Sequence, residues 1–228
     1  MSNPTSSFSD PRAVLSYADR TARLVPGLKD LHRMAGLLLA EKAPADARVL
    51  VLGAGGGEEL RTFAETHPNW RFDGVDPSSE MLQLARSTLG SMMSRVTFHE
   101  GYIHDAPEGP FDAASCLLTL HFLDEEERRK TVSAVHRRLK PDSPFVVAHH
   151  SFPNTSAGKD KWLARYAAFS ISSGMSADEV EAGIPRMKGL LPVLSPDQDA
   201  AILRDCGFRD VELFYAGFTF KGWVGYRA

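Results

Sequence analysis

Cysteine is scarce in this 228-residue chain: Cys116 and Cys206 are the only two, far apart and with no metal-ligand spacing. A disulfide framework and a structural zinc site are therefore set aside, and two reduced thiols in a cytoplasmic protein without a metal are expected. Positive charge is not in excess either. Lys and Arg number 26 against 29 Asp and Glu, for a net charge of −3, which leaves no broad basic footprint for nucleic acid. No apolar run reaches the roughly 20 residues of a membrane-spanning helix. The start, MSNPTSSFSDPRAV, lacks a basic segment followed by an apolar one, so no secretory signal is expected. Internal repeats are missing, and the Ser/Pro-rich first residues are the nearest approach to low complexity.

What is present is ordinary globular composition, 43% hydrophobic and 24% charged, in a chain long enough for one large domain with a substantial core. Leu31, Met34, Ala35, Leu38 and Leu39 recur at helical spacing within a pattern that runs from about Asp10 to Ala43 and is broken at Val25-Pro26-Gly27. Then strands and helices alternate. Strands are expected at 48–52, 71–75, 95–100, 111–120 and 144–149, and helices at 58–66, 81–88 and 124–139. Few polar residues interrupt the first strand, as suits a strand buried on both faces of a parallel sheet. Ser78 or Ser79 is a candidate cap for the helix that follows Asp76-Pro77.

From 151 to 192 the rhythm breaks into helix-like segments, 161–171 and 177–181, before Ser195-Pro196-Asp197-Gln198 opens another helix and strands at 211–215 and 218–226 close the chain. The expected architecture is α/β: a doubly wound, mostly parallel seven-stranded sheet with an inserted helical cap. Within one domain it would comprise N-terminal helices (10–45), a ligand-binding core (46–150), the cap (151–192) and a C-terminal helix with closing strands (193–228).

The stretch VLVLGAGGGEEL carries the chemistry. A phosphate-binding loop needs Lys and then Ser or Thr after its last glycine, whereas Gly57 is followed by Glu58-Glu59. The dinucleotide fingerprint started at Gly53 puts Glu58 where its third glycine belongs. Carboxylates at a helix N-terminus compete with any anion there. A nucleoside with a cationic or zwitterionic tail fits better. Gly53, Gly55 and Gly57 would let the backbone approach it, and Asp76, ending the second strand, is placed to accept two ribose hydroxyls. S-adenosylmethionine is such a molecule.

Four segments in this order resemble the class I S-adenosylmethionine-dependent methyltransferases: VLVLGAGGGEEL, GVDPSSEMLQLAR, FDAASCLLTLHFLDEEERRKTVSAVHRRLKP and SPDQDAAILRDCGF. In the second, Asp76, Ser78, Met81, Leu82, Ala85 and Arg86 match the family pattern. The resemblance implies a Rossmann-like methyltransferase fold that binds S-adenosylmethionine through Gly53, Ala54, Gly55, Gly57, Asp76, Pro77, Met81, Tyr102, Ile103 and Leu117. It further implies methyl transfer to a small-molecule acceptor admitted under the cap. Departures accompany it. The acid usually found two positions before the first glycine is Val51, the later Gly-Asp is Gly101-Tyr102, and the Gly-Gly after Leu-Lys-Pro is Asp142-Ser143.

A narrower resemblance, carried by Val25-Pro26-Gly27, Leu120-His121-Phe122-Leu123 and Phe218-Thr219-Phe220, is to the carboxy-S-adenosylmethionine synthases. It implies a carboxylate-binding role for Arg186, although Leu28, Tyr102 and Leu117 stand where that branch usually carries Tyr, Asp and Asn. Two alternatives to methyl transfer stay open: making or using carboxy-S-adenosylmethionine, and a non-catalytic scaffold that keeps the fold.

General-base candidates are His149, closing the 144–149 strand, and His121, ending the preceding one. Neighbouring strand residues face opposite ways, so at most one of His149 and His150 points to the site. Tyr17 and Tyr166 belong to helices that cover the pocket, and Trp162, Tyr166 and Phe169 share the spacing of a cap helix's core face. An exposed face of the cap is a candidate homodimer contact. Neither a nucleic-acid nor a membrane partner is expected.

Overall fold

Arg48-Val49-Leu50-Val51-Leu52 forms β1 (Arg48–Leu52), and its last four residues are buried. The computed structural model describes residues 16–228; the expected helical residues 10–15 and the Ser/Pro-rich start lie outside the described residues. Two helices precede β1, α1 (Tyr17–Leu24) and α2 (Leu28–Ala40), separated by the expected Val25-Pro26-Gly27 break. After it come α3 (Glu58–Thr66), β2 (Arg71–Asp76), α4 (Ser79–Leu89), β3 (Val96–Glu100), β4 (Ala113–Leu117), α5 (Glu125–Arg138) and β5 (Pro144–His150). The inserted helices α6 (Ser156–Ser172) and α7 (Ala177–Leu190) follow, then α8 (Pro196–Asp205), β6 (Phe208–Gly217) and β7 (Phe220–Arg227).

The seven strands form one sheet in the order β3-β2-β1-β4-β5-β7-β6, with β1 to β5 parallel and β7 antiparallel to both neighbours. The order reverses between β1 and β4, and at such a reversal the connections leave on opposite faces and open a crevice at the strands' carboxyl ends. Strand alternation divides the core. Val49, Val51, Leu117, Val146 and Ala148 meet α2 and α3 on one face; Leu50, Leu52, Cys116 and Val147 meet α5 and α8 on the other. Ser78 caps α4 by accepting the Met81 N–H, and Ser195 with Gln198 forms a reciprocal capping box on α8.

Three expectations change in extent. The 111–120 strand is shorter because Leu118 takes a positive φ of 59° and residues 120–122 coil into a 3₁₀ turn. Both inserted helices are longer than expected. The Thr155 hydroxyl starts α6 early by accepting from Gly158, and α7 runs through Pro185. β7 begins at Phe220, since Phe218 at φ 48° turns the chain between the two closing strands.

One buried cation ties the second face together. Arg128 on α5 is 1% exposed. It pairs with Asp199 on α8 and donates to the carbonyls of Leu123 and Pro192 at 3.2 and 3.1 Å. Three chain segments thus meet on one guanidinium, and removing one partner of such a pair leaves an uncompensated buried charge. Arg128→Met is expected to cost roughly 3–5 kcal/mol in urea denaturation, and adding Asp199→Leu to recover much of it. A loss below about 1 kcal/mol would mean the pair does not hold these segments.

Candidate active site

Where β1 ends, the backbone folds against β2. The N–H groups of Gly53 and Ala54 both donate to the Val75 carbonyl, at 2.9 and 3.1 Å. The Asp76 carboxylate then bridges two loops, accepting from Gly55 N–H at 3.0 Å and from Ser78 N–H at 2.9 Å. A Cβ on Gly55 would lie 2.7 Å from that carboxylate and 2.7 Å from Met81 Cβ, so only glycine allows the approach. Gly57 serves a different end: at φ 78° it brings α3 onto α4, where a Cβ would sit 2.9 Å from Ala85 Cα. Gly101 N–H donates to the Asp76 carbonyl at 3.0 Å, which brings the Tyr102 turn beside the same strand end.

Above the turn lies a narrow cleft. Gly53, Gly55, Leu117 and Leu118 form its sheet side, Glu58 and Glu59 its α3 side, and Tyr17 and His32 belong to the helices opposite. Among the described residues no lysine or arginine lines it. Glu58 is paired with Arg61 at 2.7 Å. Glu59 is buried, and its Oε1 accepts the Ser115 hydroxyl at 2.8 Å. Burial pushes the Glu59 carboxyl up to about 8, against the lowering effect of that hydrogen bond. Asp76 is likewise raised by burial, which outweighs the two backbone N–H groups it accepts. His32 is pushed down to about 4 by burial and by Arg61, and burial raises the Tyr17 hydroxyl to about 12.

This donor set does not suit a phosphate, which would meet acids and no cation. It suits a nucleoside with a positive tail: a carboxylate at a strand end for hydroxyl donors, a glycine cradle that a Cβ would fill, and a buried acid.

Of the residues expected to bind the cofactor, Gly53, Gly55 and Leu117 line the cleft, and Asp76 and Met81 buttress its turn. Ala54 and Ile103 are packed into the two cores. Pro77 is exposed. Tyr102 is 56% exposed, its N–H bonded to Asp105 and its ring on His104.

The histidine expectations need correcting. His149 does not face the cleft: it turns to the α8 side, with Nε2 3.2 Å from Asp199 and its ring against Trp223. The β5 pleat sends His150 to the other face instead, where it stacks on Phe220 and contacts Tyr166 of α6. His121 is buried beside His150, ring centroids 4.8 Å apart. Burial holds it well below the ordinary histidine range, with His150, His149 and Arg128 adding to the effect. His150 is pushed to about 3, by burial and then by His149 and Lys221. An imidazole so far below neutrality is a weak proton acceptor. Arg186 is exposed on α7 and is not on the cleft wall. Glu59 was missed because the Glu58-Glu59 doublet reads as one charged helix start. The available signal was its spacing, four residues before the buried Phe63.

Residues 49–142 match a family described as a methyltransferase domain. The carboxy-S-adenosyl-L-methionine synthase of Campylobacter lari is 20% identical over 96% of this chain and 93% of its own length. That of Chromohalobacter salexigens is 27% identical over 96% of this chain and 82% of its own. Among solved structures, an O-methyltransferase family protein from Burkholderia thailandensis superposes with a TM-score of 0.68 at 18% identity, covering 97% of this chain and 61% of that one. Human N-acetylserotonin methyltransferase, solved in complex with SAM, gives 0.63 at 14%, covering 98% and 58%. The present chain thus spans about three fifths of those two solved chains. The fold is that of the class I methyltransferases, and the sequence has a narrower similarity to the carboxy-S-adenosylmethionine synthases.

The buried acid has a consequence for stability. The ordinary Glu59 value is 4.5 and the folded one about 8, so between them the folded state binds the extra proton. Stability from this group is full below about pH 4.5 and is lost as pH rises through 8. Glu59→Gln is expected to remove a fall of roughly 2–4 kcal/mol between about pH 5 and pH 8, read from urea midpoints at several pH values. Parallel pH profiles in the two proteins would contradict the assignment.

Proposed function

The fold being that of the class I methyltransferases, we propose that this protein binds S-adenosylmethionine in the glycine-turn cleft and transfers its methyl group to a small-molecule acceptor. The observation that carries this reading is the Asp76 carboxylate, held at the end of β2 by Gly55 and Ser78 beside a cleft that, among the described residues, is lined by acids and no cation. Asp76 accepts the ribose hydroxyls, Gly53 and Gly55 admit the backbone close to the ligand, and Leu117 and Leu118 supply apolar wall. The cofactor supplies an already activated methyl group. The protein's share is then to hold two partners in line and exclude water, for which orientation alone supplies much of the rate. The lack of an obvious base is consistent with that, since His121 and His149 are buried among other partners. An indentation between α1, α6 and α7, lined by Arg20, Tyr166 and Met187, is a candidate entry for the acceptor.

A second reading, the making or use of carboxy-S-adenosylmethionine, is favoured by the names of the curated relatives. Against it stands the cleft wall, where an added carboxylate would meet Glu58 and Glu59 and no arginine.

Calorimetric titration with S-adenosylhomocysteine, on protein first freed of any carried ligand, tests the binding. Micromolar affinity is expected, weakened by Asp76→Ala at least about tenfold, since a hydrogen bond to a charged group is worth about 1.5–3 kcal/mol. No binding by the unaltered protein would reject the reading. Carboxy-S-adenosylmethionine identified by mass spectrometry in the removed material would favour the second reading, and turnover with any acceptor would exclude a non-catalytic scaffold.

A further inference from the structure

Glu59 is a buried acid with no cation paired to it among the described residues. It is 8% exposed, and besides burial the one influence on its carboxyl is the Ser115 hydroxyl. Buried carboxyls of this kind are uncommon, because desolvating the charge costs far more than a single neutral hydrogen bond returns. Glu59 is nevertheless one of the residues that line the cleft, with Gly53, Gly55 and Leu117.

Its anchor explains the location. Ser115 on β4 is the register partner of Val51 on β1. Partners in adjacent parallel strands put their side chains on the same face of the sheet. The Ser115 hydroxyl therefore projects beside the Val51 side chain, toward α3, and holds the Glu59 carboxyl there. Val51 occupies the position where the class I methyltransferases usually carry an acid, two residues before the first glycine. In this chain a carboxyl reaches the neighbourhood of that position from the helix after the turn.

We propose that Glu59 receives the α-ammonium group at the amino-acid end of the ligand, in place of the acid missing at Val51, and gives up a proton as it does so. The inference rests on the S-adenosylmethionine reading of the cleft and assigns a specificity-determining residue within it. The balance is simple. The carboxyl O–H bond of Glu59 breaks, its proton passes to buffer, and the carboxylate pairs with the ammonium; no other bond changes. The free carboxyl holds its proton at neutral pH because burial raises it to about 8, and an adjacent cation reverses that preference. Other titratable groups face it. Tyr17 on α1 is raised to about 12 and His32 on α2 lowered to about 4, both first by burial. Burial also pushes up the Cys116 thiol on β4. Asp76 on β2 is raised by burial but keeps two N–H donors, and Glu58 is paired with Arg61.

Titration calorimetry at pH 7 in phosphate and in Tris, whose ionisation enthalpies differ, reads protons released per ligand bound. S-adenosylhomocysteine is expected to release close to one proton from the unaltered protein. Methylthioadenosine, which keeps the nucleoside and lacks the amino-acid end, is expected to release none. Glu59→Gln should abolish the release and weaken S-adenosylhomocysteine at least about tenfold, with methylthioadenosine affinity unchanged as the check on folding. Binding of S-adenosylhomocysteine without proton release, or with equal affinity in Glu59→Gln, overturns the assignment and leaves the cofactor reading standing. Failure of the unaltered protein to bind either ligand overturns both.

Discussion

The Asp76 carboxylate is the constraint on which the site depends. It accepts the Gly55 N–H with one oxygen and the Ser78 N–H with the other, so a single side chain sets the glycine turn against the start of α4. The approach requires the absence of a Cβ at Gly55 and a closely packed Met81 behind it. The turn also requires β1 and β2 in register, because Gly53 and Ala54 both hang from the Val75 carbonyl. The cleft is consequently rigid on its sheet side, where two parallel strands end together.

Buried charge is handled in two opposite ways on the two faces of the sheet. On the α5–α8 face, Arg128 is surrounded by Asp199 and two carbonyls, a charge-paired arrangement that joins three segments. On the α2–α3 face, Glu59 has one hydroxyl and no cation. The first arrangement is structural: it leaves nothing for a ligand to do, and it draws His149 into its orbit. The second keeps unspent capacity for a positive group at the wall of the cleft. That contrast distinguishes a stabilising ion pair from a candidate binding group when both are buried.

The glycine turn, the alternation of strands and helices and the helix starts at Ser78 and Ser195 were legible because each is a property of neighbours in the chain. Turn chemistry, helical spacing and capping act within a few residues, so they survive without knowledge of the rest. Asp76 was legible for the same reason, lying at a strand end just before a capped helix. The helix limits in 151–192 were less so, because Pro185 and the small residues there weaken the local signal while packing extends both helices past it.

By itself the sequence determined the order of the sheet's strands along the chain, the helix starts outside the 151–192 insertion and the chemical character of the turn, acid-rich and unsuited to phosphate. Tertiary structure alone decided which side chains meet. It sent His149 to Asp199 and His150 to Tyr166, because the β5 pleat has two faces and only the packed helices identify them. It left Arg186 exposed on α7. It placed the Glu59 carboxyl on Ser115, 56 positions along the chain and the register partner of Val51. Those outcomes depend on strand order and on the distances between segments remote in sequence, which no local pattern encodes.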